Sequence, residues 1–225
     1  MARKSTRSPY DFYPTPEYVT RALLDSYPPK TKWVIEPAAG RGAMVKVLQE
    51  YGYKVQAVEL VSEYAEETAK LGVPISIGDW RELCARADIK AVLRLNGPWA
   101  IITNPPYTIA PDFTASCLKL MDLKLDSTGI YRTKSNIGYL ALLLRLNMLA
   151  GPISTCWPRI WDRFKPTAIR SLHIRPSFTG KGTDMCNYTW VIWEQDRPPI
   201  DFEVIPSSRK CIRCRECSSC RKVEI

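Results

Sequence analysis

One stretch near the amino terminus restricts the fold of this chain more than any other. Residues 33–36 indicate a short β-strand, residues 37–42 a loop of small residues, and residues 43–51 a helix. Strand, glycine-bearing loop and helix form the first half of a dinucleotide-type β-α-β unit, whose loop and helix N-terminus can face a ligand. Gly40 and Gly42 would allow a ligand to approach the backbone closely. The full GxGxxG pattern is absent, so the stretch predicts the unit more firmly than it predicts the ligand.

Strands and helices alternate along much of the remaining chain. The run at 138–145 is almost continuously apolar, which fits a buried helix or a buried strand, and its place after a β-α unit favours the strand. Thr15 can cap the first predicted helix, with Pro16 as its first residue. The patterns predict an α/β fold whose last two strands could pair antiparallel and close the sheet. The other strands are predicted at 54–60, 73–77, 99–103, 167–175 and 187–194, and helices at 17–26, 62–71, 80–87 and 111–123.

Acidic residues lie at the ends of two predicted strands, where a nucleoside could contact them. Glu59 lies about 20 residues after the glycine loop, where a carboxylate can accept hydrogen bonds from ribose hydroxyls. A strand-end charge that faces only water is the alternative. Asp79 can accept a hydrogen bond from an adenine amino group, cap the amino end of the next helix, or do both.

The sequence Asn104-Pro105-Pro106-Tyr107 directly follows the predicted buried strand at 99–103. Two consecutive prolines prevent a helix or a strand ladder from continuing. An amide and an aromatic ring are therefore held on a stiff turn at the carboxyl end of a strand, the edge at which open α/β sheets bind ligands. A proline-terminated strand with an exposed tyrosine is the alternative interpretation.

The basic charge of the chain is concentrated at its two ends. The net charge is +9; residues 1–10 carry three basic residues and no acidic one, and residues 206–225 carry six basic residues against two acidic ones. Such arms suit a nucleic acid or another anionic surface, although charged tails can also serve solubility alone. We expect a basic disordered arm at 1–10, one folded domain at 11–200 and a basic cysteine-rich tail at 201–225.

The chain carries no signal of a membrane or secreted protein. No apolar run approaches the roughly 20 residues that span a bilayer, and no apolar segment follows the basic residues at the amino terminus. We therefore expect a cytoplasmic protein with no membrane partner.

Candidate metal ligands are clustered in the tail. Four thiolates, the number that a structural zinc site uses, are supplied by Cys211, Cys214, Cys217 and Cys220. The two-residue middle spacer is tight for zinc, so an iron–sulfur cluster and a flexible tail with redox-labile thiols remain alternatives. His173, the only histidine, falls in the predicted strand 167–175, which favours a structural role. The other cysteines are scattered, as buried free thiols tend to be: Cys84, Cys117, Cys156 and Cys186.

These segments together resemble the S-adenosylmethionine-dependent methyltransferases with a Rossmann-like fold. Within that group they look like the amino methyltransferases that act on adenine N6 in DNA, in the small phage and prophage form. The resemblance covers roughly residues 11–195 and implies a mostly parallel seven-stranded sheet with an antiparallel C-terminal strand pair and helices on both faces. The matching stretches, in chain order, are Tyr13–Pro16, Glu36–Gly42, Glu59, Asp79 and Asn104–Tyr107.

The resemblance implies S-adenosylmethionine as cofactor and a role for each matching residue. Tyr13, Thr15 and Pro16 would line the cofactor pocket. The methionine moiety would be surrounded by Glu36, Ala38 and Gly40, with Glu59 on the ribose and Asp79 on the adenine. The Asn104 side chain and the Pro105 carbonyl would accept hydrogen bonds from the target amine. Tyr107 would stack on the target base, and Phe178 would pack against its other face.

The identity of the substrate is the least determined part of this interpretation. The chain departs here from the sequence-specific members of the family, which carry a sizeable target-recognition region. Arg132, Lys134 and Lys181 could contact phosphates, or belong to a solvated basic face. The partner is expected to be a nucleic acid, with DNA favoured. RNA methylation at adenine or guanine is the nearest alternative, followed by protein-glutamine methylation and a non-catalytic nucleic-acid-binding module.

Overall fold

The computed structural model describes residues 9–150, 157–178 and 184–200. Seven strands form one sheet in the order β3-β2-β1-β4-β7-β9-β8, and β5 and β6 form a separate antiparallel pair. The strands are β1 Trp33–Glu36, β2 Lys54–Glu59, β3 Ile75–Ile77, β4 Trp99–Thr103, β5 Lys124–Leu125, β6 Tyr131–Arg132, β7 Ile137–Arg145, β8 Ala168–Ser171 and β9 Tyr188–Glu194.

The sheet is parallel except at β9, which runs antiparallel to β7 on one side and to β8 on the other. The predicted α/β fold, mostly parallel with an antiparallel pair formed by the last two strands, is confirmed. From β1 the chain adds β2 and β3 on one side, and it then places β4 and β7 on the other side. Strand order therefore reverses between β1 and β4, and ligands bind beyond the carboxyl ends of strands at such a reversal.

Seven helices lie among the described residues, and most fall where the sequence predicts them. They are α1 Glu17–Ser26, α2 Ala43–Glu50, α3 Ser62–Ala69, α4 Trp80–Leu83, α5 Ala87–Leu95, α6 Ala110–Met121 and α7 Trp157–Arg163, with 3₁₀ turns at Pro9–Asp11 and Leu146–Ala150. The helix expected at 80–87 ends at Leu83 in the structure, and neither α5 nor α7 was predicted. None of the helices in the described part of the chain is long and apolar enough to cross a membrane.

Two apolar cores cover the two faces of the sheet. Along β7, Leu140, Leu142 and Leu144 pack into one core, with Trp99, Phe113 and Trp193 among its members. Tyr139, Ala141 and Leu143 pack into the other core, together with residues of α1 and α2. Because both faces of β7 are buried, its sequence is continuously apolar instead of alternating. The ambiguity of that run is thus resolved as a strand.

Several expectations about single residues are corrected or fall outside the described residues. His173 is exposed and follows β8, which ends at Ser171, so it is not inside a strand. Cys84 and Cys117 are buried free thiols as expected, and Cys186 is half-buried. Cys156, the four tail cysteines, Lys181 and most of the basic arm lie outside the described residues.

Candidate active site

A cleft lies at the carboxyl ends of the first four strands, and the N-terminal segment (residues 10–15) forms one of its walls. Parallel strands end at the same edge of a sheet, so residues far apart in sequence converge there. Of the predicted catalytic and cofactor-binding residues, all line this cleft except Pro16 and Gly42. The lining set is Tyr13, Thr15, Glu36, Ala38, Gly40, Glu59, Asp79 and Asn104–Tyr107.

Both glycines of the loop have a positive φ, and each lies close against a neighbouring side chain. Gly42 has φ +83°, and a Cβ there would lie 2.6 Å from Leu71 Cδ1. Its left-handed conformation starts α2, and the small residue lets the chain after α3 pack closely. The space that a Cβ would need at Gly42 is filled by the side chain of Leu71, and Gly42 does not line the cleft. At Gly40, φ is +54°, and a Cβ would lie 2.6 Å from Phe12 Cε2.

Glu59 is anchored to the glycine loop. Its Oε2 accepts a hydrogen bond of 2.6 Å from the Gly40 backbone N–H, and its Oε1 accepts one of 2.9 Å from the Val61 N–H. The side chain is 7% exposed, so burial is offset by these two bonds. Each carboxylate oxygen has a second acceptor direction, which leaves capacity for a ligand hydroxyl.

Glu36, at the end of β1, is the most unusual acid in the cleft. It is fully buried, and its Oε1 accepts a hydrogen bond of 3.1 Å from the Ala38 N–H. Neither Glu36 Oε2 nor Thr103 Oγ1 has a hydrogen-bond partner among the residues that the structure describes. Burial raises the pKa of Glu36 to about 8, against the opposite effect of the neighbouring Thr103 hydroxyl and the Ala38 N–H. The Thr103 hydroxyl is thus a neighbour of this carboxyl, and Oε2 keeps a free acceptor direction for a donor group of a ligand.

Asp79 caps the short helix α4 as the sequence indicates. Its carboxylate accepts a hydrogen bond of 2.9 Å from the Arg81 backbone N–H and a second, of 3.0 Å, from Arg81 Nε. Hydrogen bonding by the Arg81 side chain holds the pKa of Asp79 below its usual range. The carboxylate is thus kept ionised and fixed at the wall of the cleft.

Asn104 follows β4 and is held at both ends of its amide. Its Nδ2 donates a hydrogen bond of 3.0 Å to Thr15 Oγ1, and its Oδ1 accepts one of 2.5 Å from the Tyr107 hydroxyl. Thr15 does not cap α1 as predicted: Pro16 occupies the N-cap position, and the cap makes no side-chain hydrogen bond. The Thr15 hydroxyl instead faces Asn104, a contact across 89 positions of the sequence.

Tyr107 is 9% exposed and packs in an aromatic and cationic cluster. The guanidinium carbon of Arg145 lies 4.6 Å from the centre of its ring, and the Tyr188 ring lies 5.8 Å away. Phe178 packs edge-on against Tyr188 at 5.0 Å, so Tyr188 lies between the two predicted base-stacking residues. Burial raises the pKa of Tyr107 well above its ordinary value, which keeps its hydroxyl protonated and able to donate.

Arg145 lies beside the site but was not among the residues predicted from the sequence. Its Nε donates a hydrogen bond of 3.2 Å to the Tyr188 hydroxyl, which in turn donates one of 2.5 Å to Asp184 Oδ2. The sequence does mark this residue, because Arg145 is the one charged residue of an otherwise apolar strand and lies at its carboxyl end. The chain of bonds from Asp184 to Arg145 fixes the position of the guanidinium beside Tyr107.

The N-terminal segment contributes a second set of contacts that the sequence did not predict. Asp11 Oδ2 accepts a hydrogen bond of 3.0 Å from the Thr108 N–H, directly after the proline turn. The rings of Phe12 and Tyr64 lie 4.5 Å apart, and the Arg41 guanidinium carbon lies 4.5 Å from the Tyr64 ring centre. These contacts attach the segment to the turn, the glycine loop and α3.

Two predicted phosphate contacts, Arg132 and Lys134, do not join the site. Both precede β7, whereas Asn104 follows β4, its parallel neighbour. They therefore lie near the opposite edge of the sheet, roughly 20 Å away along the strands. Arg132 is also paired within the fold, with Asp126 at 2.9 Å and with Asp196.

No protein-family model matches the sequence, and no curated protein matches it. Solved structures do match. A candidate RNA methyltransferase from Pyrococcus horikoshii has a TM-score of 0.56 at 17% identity, over 85% of this chain and 90% of that one. The 23S rRNA methyltransferase ErmE has a TM-score of 0.54 at 12% identity, over 85% of this chain and 72% of that one.

A third similar structure is the modification subunit of a candidate type I restriction enzyme from Vibrio vulnificus. Its TM-score is 0.50 at 19% identity, over 95% of this chain and 53% of that one, so the chain spans about half of that protein. At such identities the likeness shows the fold alone. With the strand order and the cleft described above, it shows that this chain has the Rossmann-like fold of the methyltransferases.

Proposed function

We propose that the protein is an S-adenosylmethionine-dependent N-methyltransferase that acts on adenine N6 in DNA. The observation that carries the proposal is the position of the Asn104 amide. It lies on a proline-stiffened turn at the carboxyl end of β4, in the wall of the same cleft as Glu36, Glu59 and Asp79. A ligand in that cleft and an amine beside Asn104 would be neighbours.

The residues of the cleft fit the proposed cofactor. S-Adenosylmethionine, when bound, supplies a methyl group activated by the positive charge of its sulfonium. Oε2 of Glu36 would accept from the ammonium group of the methionine moiety, beside Ala38 and Gly40. Glu59 would accept from ribose hydroxyls and Asp79 from the adenine amino group. Tyr13 and Thr15 would close the N-terminal side.

The turn at Asn104 suits an exocyclic amine as the methyl acceptor. Such an amine is a weak nucleophile because its lone pair is delocalised into the ring. Two acceptors, Asn104 Oδ1 and the Pro105 carbonyl, would bind its two hydrogens, favour a pyramidal nitrogen and direct the lone pair toward the methyl group. Placement of this kind is worth up to roughly 7–11 kcal/mol. It needs no strong base, and in the described part of the chain no histidine lines the cleft.

An adenine within duplex DNA would have to leave the stack before it could reach Asn104. Tyr107 would replace part of the lost stacking, with Phe178 nearby and Arg145 beside the ring. A basic chain, at +9, favours a nucleic acid as the partner. The similar structures, a candidate and an established RNA methyltransferase and the modification subunit of a candidate restriction enzyme, support the same class of substrate.

RNA is the second candidate substrate, because two of those three structures are described as acting on RNA. The test is incubation of the purified protein with methyl-labelled S-adenosylmethionine and separate pools of double-stranded DNA, RNA and protein. We expect label in the DNA pool. Label confined to RNA would replace the first candidate by the second, and label in protein alone or in no pool would overturn the proposal.

A further inference from the structure

The Asn104 amide is held by two buried hydroxyl groups that come from different parts of the chain. Thr15, which accepts from Nδ2, is 6% exposed and lies between Pro14 and Pro16 at the start of α1. Tyr107, which donates to Oδ1, is 9% exposed and lies three residues further along the proline turn that contains Asn104. The first contact joins two parts of the fold, and the second is local.

The two ends of an amide have opposite hydrogen-bonding character. Oδ1 accepts and Nδ2 donates, so only Oδ1 can bind the N–H groups of a target amine. A hydroxyl can accept as well as donate, and Thr15 Oγ1 supplies the acceptor that Nδ2 needs in this orientation of the amide. When an amine binds Oδ1, the other end of this half-buried amide is Nδ2, and that donor needs an acceptor to avoid the cost of an unmade hydrogen bond.

We propose that Thr15 is a positioning residue for methyl transfer: its hydroxyl accepts from Asn104 Nδ2 and so presents Oδ1 to the target amine. The inference rests on the proposed function and deepens it. In the structure, the Tyr107 hydroxyl occupies the place on Oδ1 that an amine N–H would take. The target amine replaces that hydroxyl, while the Thr15 bond persists in both states.

This role differs from the one that the sequence implies for Thr15, which is lining of the cofactor pocket. A residue that only binds cofactor changes cofactor affinity, and saturating cofactor restores the rate. A residue that holds Asn104 changes the rate of the chemical step even when cofactor is saturating. The two roles therefore separate in a measurement of affinity and rate on the same variants.

The experiment compares Thr15→Val, which removes the hydroxyl, with Thr15→Ser, which keeps it. Thr114→Val is the control, because Thr114 is a buried threonine whose hydroxyl donates to Ala110 O, and it does not line the cleft. The readouts are cofactor Kd by calorimetry and the single-turnover rate on DNA lacking adenine methylation, with cofactor saturating. We expect Thr15→Val to slow transfer roughly 10- to 100-fold, with cofactor Kd within about twofold; Thr15→Ser and the control keep most of the rate.

A second readout does not depend on activity. Hydrogen exchange of the Asn104 side-chain amide, followed by NMR in the free protein, should speed up in Thr15→Val and remain slow in Thr15→Ser and Thr114→Val. Equal single-turnover rates for Thr15→Val and wild type, or a loss restored by more cofactor, would overturn the positioning role alone. A wild-type protein that binds cofactor and methylates no pool would overturn the proposed function, and the positioning role with it.

Discussion

At the scale of single residues, the acidic groups of the cleft differ in how fully they are hydrogen-bonded. Glu59 and Asp79 have both carboxylate oxygens engaged with the backbone or with Arg81. Glu36 has one oxygen engaged and one without a partner among the described residues. A protein that buries such a carboxyl incurs a cost in stability, and sites of ligand binding are where such costs are found.

The buried Glu36 gives the protein a specific dependence of stability on pH. Its folded-state pKa, about 8, lies above the ordinary value of 4.5. The folded chain therefore binds more protons than the unfolded chain between these values, and the free energy of unfolding falls as pH rises from about 5 to 8. Glu36→Gln, which stays neutral, should lose this decline and be more stable than wild type at pH 8.

The measurement is urea unfolding of wild type and Glu36→Gln at pH 5 and at pH 8, without cofactor. The difference between the two proteins should grow in favour of Glu36→Gln as pH rises. Parallel pH dependence in the two proteins would mean that Glu36 is not held protonated in the cleft.

At the scale of elements, the helix α1 carries the N-terminal segment to the cleft and packs on the sheet. Its buried face is formed by Val19, Leu23, Leu24 and Thr20. Thr20 is fully buried, and its hydroxyl has no partner among the described residues. The helix therefore includes one polar group whose desolvation is uncompensated.

Thr20→Val should stabilise the protein by about 1 kcal/mol, since it replaces an unpaired hydroxyl by a methyl group of similar volume. Thr114→Val is the matched control, because that hydroxyl donates to Ala110 O and its removal should bring no gain. Urea midpoints of the two variants at one pH provide the comparison. A loss of stability in Thr20→Val would show that its hydroxyl is bonded in solution.

Elements that depend on local chemistry could be predicted from the sequence. The ends of α1, β1 and β4 fall at the predicted residues because prolines or a change of polarity mark them. Helix α5 was missed because Ala87–Leu95 is largely exposed and only Leu93 is buried. The short pair β5–β6 was missed because two-residue strands leave no alternating pattern.

The site could likewise be predicted only in part. Most of its members could be predicted because they follow the ends of strands, but their contacts could not. The Thr15–Asn104 hydrogen bond spans 89 positions, and the stacking of Arg145 on Tyr107 joins β7 to the proline turn. Such contacts depend on strand order and register, which only the assembled sheet supplies.

At the scale of the whole molecule, the fold separates two edges of the sheet. The cleft, Asn104 and Arg145 lie at the carboxyl ends of the strands, while Arg132 and Lys134 lie near the amino end of β7. A nucleic acid whose base reaches Asn104 must approach the carboxyl edge. Under the proposed function, methyl transfer to an exocyclic amine takes place at this edge of the sheet.

The most direct test is nucleoside analysis of DNA methylated by wild type and by Asn104→Ala. Both proteins are incubated with methyl-labelled cofactor and DNA lacking adenine methylation, and the digested DNA is examined by mass spectrometry. We predict N6-methyladenine from wild type, with transfer by Asn104→Ala lower by a factor on the order of 10²–10³ and with cofactor Kd within about twofold of wild type. Label at a ring nitrogen or a carbon, or equal labelling by Asn104→Ala, would contradict the account.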